Sequence, residues 1–490
     1  MIRFPAGANL IAYVAVLGFV PFAFAVFSQF RTHVAALIVI LAGELFLPMR
    51  AGFDLPFLPF IGRETLPYIA AGLCLATRRP SILRRARLGT GIEAFGLLSA
   101  VGLLGTTVTN LDPVQFGSRL LQPMDVLEAV TGSMTLILTY ALPVFIGRAV
   151  FRSGAALRDA LVAVALGGLV YIPVILIELK ISPQLHYLTY GYQSPLWAID
   201  VRYGGFRPFG WMTEGLALAI YMVGAIGGAA GLRKARMSAV PFRSIPGANL
   251  ISRYAAPLLV VALVLCKSIA SAIFGVTEWV LITLFRPRMQ TRVALALAAV
   301  LLVYPVLRSV NAIPTTEIIS WLGEIDADRA QSLNARFENE DGMLAHARDR
   351  LVFGWGGYGR NWVIDKETGD NLTIPDGQWV IAISAYGLVG FLCVFLIYVV
   401  SISSTWYRLD RIRDPQIRTL VAACALIVAF RAIDLIPNGL FSFYSLFMAG
   451  VLQGSVNGTL ASERVARAIK LRASAVGSSE PDPVPAGPQH

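Results

Sequence analysis

Apolar runs long enough to cross a bilayer as helix recur along most of the chain. They lie near 8–30, 32–48, 64–77, 90–109, 128–150, 157–179, 209–232, 251–266, 268–285, 292–309, 378–404, 417–436 and 439–457. A hydrocarbon core takes roughly 20 such residues, and backbone in lipid must satisfy its own hydrogen bonds. The pattern therefore predicts about thirteen helices, of which 32–48 and 64–77 are short enough to be half-spans. The first run has no clear small-residue cleavage site and many more follow it, so it reads as a span rather than a cleaved leader. No internal repeat is evident.

Basic residues gather in short blocks between these runs. Arg78, Arg79, Arg84, Arg85 and Arg87 form one, and Arg148, Arg152 and Arg158 the next. Arg233, Lys234 and Arg236 follow, then Arg286, Arg288 and Arg292, then Arg408, Arg411 and Arg413, and finally Arg464, Arg467, Lys470 and Arg472. A pair of runs separates each block from the next, which puts all of them on the cytoplasmic side and the N-terminus outside. Two polar segments, 181–208 and 310–376, then fall on the outer face, where the chemistry is expected. The second holds Trp321, Trp355 and Trp362, and within it 326–353 has helical spacing without the apolar length to span, so a small amphipathic cap is expected. The chain divides into N-terminal membrane helices (1–309), the long outer loop (310–376), C-terminal membrane helices (377–457) and a tail (458–490). Residues 473–490, rich in Ser, Pro and Gly, read as disordered.

Composition fixes the class. With 56% hydrophobic and 14% charged residues and a mean hydropathy of +0.65, the chain cannot form ordinary soluble domains, and an all-α polytopic membrane protein is expected. The 41 Lys and Arg against 30 Asp and Glu give a formal charge of +11. That excess sits in the loop blocks, which suits an anionic membrane face rather than nucleic acid. Cys74, Cys266, Cys393 and Cys424 all lie in apolar stretches, so spacing supports neither a disulfide framework nor a zinc site.

The late outer loop and the helix after it carry a recognisable set of segments. They read Leu333-Asn334-Ala335-Arg336, Ala345-His346-Ala347-Arg348-Asp349-Arg350, Phe353-Gly354-Trp355-Gly356-Gly357-Tyr358-Gly359, Asp376-Gly377-Gln378-Trp379 and Tyr386-Gly387-Leu388-Val389-Gly390-Phe391. Over about residues 250–405 the chain resembles the O-antigen ligase and O-antigen polymerase superfamily. The resemblance implies an architecture of about 12–13 transmembrane helices like the C-type membrane glycosyltransferases, in a bacterial inner membrane with the site facing the periplasm. It implies transfer of a saccharide from undecaprenyl diphosphate to an acceptor hydroxyl, with no cofactor, nucleotide sugar or required metal. Two positions depart from the family. Asp376-Gly377 stands where His-Asn is frequent, and Lys267-Ser268 where Ser-Arg is common. The choice between ligase and polymerase, and between Asp376 and His346 as base, stays open.

The chemistry needs a cationic clamp for a diphosphate leaving group and a base for the acceptor hydroxyl. Arginine suits the first role because its planar fork pairs two phosphate oxygens and stays charged. Arg202 and Arg207 flank Gly204-Gly205 in the first outer segment and are the leading candidates, the alternative being headgroup snorkelling. Lys267 interrupts the apolar stretch 255–285 and is either a further phosphate contact or a hydrated hairpin apex. Arg336 is a contact implied by the family motif, with Arg348 and Arg350 as secondary candidates in a run that could equally be a solvated helix face. His346 and Asp376 are the candidate bases, Asp376 also being placed to cap the next helix. Gly354, Gly356 and Gly359 spell a dinucleotide-like pattern without its strand–helix context, and read instead as a tight turn. Within the apolar runs, Arg431 and Asp434 share a helix face and can neutralise each other, while Glu44, Glu93, Glu178, Glu214 and Glu278 mark possible cavities. The rival expectation is a transporter or flippase of lipid-linked saccharides, whose cationic outer loops only receive a headgroup.

Overall fold

The computed structural model describes residues 2–117, 119–193, 201–202, 204–239, 248–357, 359–365, 367–374, 376–439 and 442–477. The helices are α1 (Leu10–Leu17), α2 (Phe19–Gln29), α3 (Thr32–Phe46), α4 (Leu66–Arg78), α5 (Pro80–Ala86), α6 (Glu93–Val108), α7 (Val126–Leu136), α8 (Leu142–Val150), α9 (Gly154–Ile181), α10 (Leu185–Tyr190), α11 (Gly215–Lys234), α12 (Ala248–Leu265), α13 (Ile269–Leu284), α14 (Pro287–Ser309), α15 (Thr315–Ile325), α16 (Ala327–Arg348), α17 (Gln378–Arg408), α18 (Pro415–Asp434) and α19 (Phe443–Gly477). Strand is confined to a small antiparallel sheet of β1 (Ile2–Arg3), β2 (Gly52–Phe53) and β3 (Ile61–Gly62), and to two hairpins, β4 (Val114–Phe116) with β5 (Arg119–Leu121) and β6 (Val201–Arg202) with β7 (Gly205–Phe206). The protein is mostly helical and polytopic, as its apolar rhythm requires.

Each apolar run contains helix among its described residues, but the helices are not equal. Six helical stretches among the described residues are long and apolar enough to cross a membrane: α7 to α8 taken together, α9, α11, α14, α17 and α18. A seventh appears if α1 and α2, bent by 50°, form one broken span. The apolar helices α3, α6, α12 and α13 are only 15 to 18 residues long. At 1.5 Å per residue they reach roughly 23–27 Å, short of a hydrocarbon core of about 30 Å. The break at Lys267 between α12 and α13 occurs as expected, with Lys267 itself at a φ of 55°. The tail differs from expectation. Helix α19 runs on through 473–477, and only 478–490 lie outside the described residues.

Small residues bring the central helices together. The glycine-rich α11 packs against α9, α12, α13 and α18, and a Cβ placed on Gly228 would stand 2.9 Å from the Leu161 carbonyl oxygen. Such close approach is how helices associate in lipid, where apolar side chains gain little from leaving it. Two buried carboxylates hold the ends of spans. Glu93 takes a bidentate grip from Arg148, with Nε at 2.8 Å, and Glu178 accepts from the backbone N–H groups of Phe209 and Gly210, both at 2.7 Å.

The connection after α9 is held by a buried imidazole. His186 is fully buried, donates from Nδ1 to the Tyr192 carbonyl at 3.0 Å and accepts from the Met49 N–H at Nε2 at 3.3 Å. Both nitrogens are satisfied only in the neutral ring, and burial pushes its pKa down from 6.5 to about 4. A depressed folded-state pKa makes this stabilisation complete above pH 6.5 and lost progressively as pH falls toward 4. The melting temperature is expected to drop across that window in wild type and to drop less in His186→Asn, as thermal unfolding in detergent will show.

Helix α16 lies on the end of the bundle reached by α14 and α17. Arg308, near the C-terminus of α14 and only 2% exposed, binds Glu340 at 3.0 Å and Asp341 at 2.7 Å, with its guanidinium 4.9 Å above the Phe337 ring. Glu340 also accepts from the Tyr304 hydroxyl at 3.0 Å and Trp379 Nε1 at 3.3 Å. Burial raises the Glu340 carboxyl against the pull of the tyrosine and arginine.

Candidate functional site

The segment after α16 folds onto a break in α17. Gly387 has φ 65° and ψ −168°, a conformation that interrupts the helical ladder and that a side chain would disfavour. The break frees carbonyls and amides that need partners. The carbonyls of Ser384 and Ala385 accept from Trp355 and Gly356 at 2.9 and 2.8 Å, and the amides of Leu388 and Val389 donate to Leu351 and Val352 at 2.9 and 3.2 Å. A Cβ on Gly387 would lie 2.3 Å from the Val352 carbonyl oxygen. The two glycine-containing sequence segments are thus halves of one backbone junction. Gly354, Gly356 and Gly359 all have positive φ, in keeping with a tight turn; Tyr358 lies outside the described residues.

Asp376 stands just before α17, beside α16. Its carboxylate lies 3.0 Å from Arg336 Nε, and both side chains are partly open, at 44% and 40% exposure. They line a crevice of about 100 Å³ with Tyr304, Phe337, Glu340 and Pro437. The arrangement sets a guanidinium fork beside a carboxylate that can take a proton, with both groups accessible to a ligand.

The other expected residues fall into separate groups. Lys267 lies over the β6–β7 turn, where a Cβ on Gly205 would meet its ammonium at 2.6 Å, and its carbonyl accepts from Arg207 Nε at 3.3 Å. Arg207 also packs on Gly215 at the start of α11. Arg202 is exposed on β6, its guanidinium donating to the Val201 carbonyl at 2.7 Å, while Tyr203 lies outside the described residues. Arg348 donates to the Ser309 carbonyl at 3.1 Å. Arg350 pairs with Asp112 at 2.7 Å and stands 4.4 Å over Trp355, and this hydrogen bond holds the Asp112 carboxyl below its usual range. His346 stacks on the same Trp355 indole, 4.4 Å away at 7°, and its Nε2 meets the Arg360 carbonyl at 2.9 Å. Burial lowers the His346 pKa. Of the two candidate bases, Asp376 faces a crevice beside an expected cation, whereas His346 is engaged by a carbonyl and an indole.

A larger cavity, about 450 Å³, opens within the bundle. Glu44, Arg63, Glu64, Arg431 and Ser442 supply its polar lining, and Thr139 and Tyr140 reach it from the π-turn joining α7 to α8. A second chamber of about 290 Å³ shares Arg63, Glu64 and Thr213 with it. Arg63 is buried, its guanidinium donating to the carbonyls of Glu44 and Trp211. The Arg431–Asp434 contact is 3.1 Å, the neutralising pair their spacing predicts. The only sequence signal for Arg63 and Glu64 is an adjacent Arg-Glu pair opening an apolar run. Ile436 and Pro437 line the Arg336 crevice and Gly439 the large cavity, with Gly439 close against the Asp376 carbonyl, 3.0 Å from a Cβ placed there. One short stretch of chain thus lies between the two hollows. No protein-family model and no curated protein matches the sequence.

Proposed function

We propose that the protein is a membrane glycan ligase or polymerase of the O-antigen type, with about 12–13 transmembrane helices in a C-type glycosyltransferase-like arrangement and α15–α16 as its periplasmic cap. The observation that carries this reading is the Arg336–Asp376 pair, an accessible cation and carboxylate 3.0 Å apart beside a membrane-embedded bundle. An undecaprenyl-diphosphate-linked donor enters from the bilayer. Arg336 takes up charge developing on the diphosphate. Asp376 releases Arg336 to the phosphate and accepts the proton of the acceptor hydroxyl, which attacks the anomeric carbon as the diphosphate departs. A single displacement of this kind inverts the anomeric configuration. His346, Arg348 and Arg350 support the loop. Purified protein in inner-membrane lipid, given lipid-linked oligosaccharide and a saccharide acceptor, is expected to yield a longer glycan or a new conjugate with release of undecaprenyl diphosphate; no transfer to any acceptor saccharide would reject the reading.

The large cavity favours a second reading, a flippase for lipid-linked saccharides, because its charged lining lies within the bundle. Movement of the labelled donor across vesicle membranes without transfer selects that alternative.

A further inference from the structure

We propose that α15 is a bilayer-surface anchor whose apolar face lies among phospholipid headgroups and the upper acyl chains. Ile318, Trp321, Leu322 and Ile325 recur at helical spacing on one stripe, and Thr316, Glu317, Ser320 and Glu324 occupy the other side. The helix packs against α16 with Thr315, Ile319 and Leu322 half-buried, but none of its residues is fully buried, and Trp321 and Ile325 are 62% and 65% exposed. In water such a face would be an unusual liability.

The occupant is argued from continuity. Helix α14, long and apolar enough to cross a membrane, presents Val300, Val303, Val306 and Leu307 outward, and Val310 just after it is exposed as well. Residues 310–314 alone separate it from α15, so α15 starts at the level where α14 emerges. Tryptophan is suited to that depth, its indole having an apolar body and one polar N–H. Helix α15 contains no Lys, Arg or His, so its attachment comes from apolar burial and needs no anionic lipid. The acidic Glu317 and Glu324 side faces water.

This contact gives α16 two fixed points. Its N-terminus follows α15 across the single residue Asp326, and its Glu340 and Asp341 are held by Arg308. Arg336 lies between the two, so the bilayer surface itself sets the height of its guanidinium. The surface contact rests on the α15 face alone and stands apart from the reading of the Arg336 crevice as a transferase site.

The test uses the full chain in vesicles of zwitterionic phosphatidylcholine. The Trp321 emission is taken as the difference between wild type and Trp321→Phe. It is expected to be quenched several-fold more by lipid brominated near the headgroup end of its chains than by lipid brominated near the chain terminus, and to be shielded from aqueous acrylamide. Ile318→Ser/Ile325→Ser is expected to reduce the lipid quenching and open Trp321 to acrylamide. Free access of acrylamide in wild type overturns the proposal. So does shielding from both quenchers, which would mean a protein surface such as a second copy, and so does lipid quenching that appears only after phosphatidylglycerol is added.

Discussion

Arg336→Ala is expected to lower kcat/KM for glycan transfer by about 10²–10³-fold, the loss typical of removing one group that stabilises developing charge. Folding should barely change. The Arg336–Asp376 pair is about two-fifths exposed on both sides, and such pairs contribute roughly 0–1 kcal/mol to stability. That separation gives the experiment its meaning, because a residue serving only the fold would lose melting temperature and turnover together. Arg336→Lys is expected to recover part of the rate, since lysine returns the charge without the bidentate fork. Asp376→Asn should retain donor binding and lose turnover, as an amide keeps the shape of the crevice but cannot take a proton. Wild-type transfer by Arg336→Ala in the reconstituted assay would remove the crevice from consideration.

Arg308→Ala is expected to have the largest effect on stability. It deletes a 2% exposed guanidinium that serves Glu340 and Asp341 together, and it leaves the buried Glu340 without its cation. Breaking a buried pair from one side costs about 3–5 kcal/mol. The cost should appear as a lowered melting temperature in detergent and as protease cleavage within 310–349, where α16 loses its tether. Arg308→Met/Glu340→Leu removes both charges and is expected to return much of the stability. If the single variant melts with wild type, the triad contributes little and α16 is held by its other contacts.

The membrane helices were legible because lipid leaves the backbone so few choices. Even so, apolarity alone could not separate a 16-residue helix such as α6 from a complete span such as the 28-residue α9. Within the late loop, the motif segments were readable as a set, and α16 follows the expected helical spacing. Their mutual roles were not. Arg350 and Asp112 are separated by 238 positions, and neither has a local pattern that announces the other. The stacking of His346 on Trp355 has the same character, since a histidine nine residues from a tryptophan becomes its neighbour only through the turn between them. The Arg336–Asp376 contact was approachable through two separately chosen candidates, whereas Arg63 acquires meaning only when β3, α3 and the start of α11 converge on one cavity.

The interrupted ladder at Gly387 bears on how this protein can be re-engineered. Because residues 351–356 complete the hydrogen bonding of α17, the outer loop and the helix that follows it are stitched into one inheritable unit. A chimera that exchanges the loop for that of another protein must carry its crossover beyond Val389, or the recipient helix will present four severed backbone bonds to a stranger.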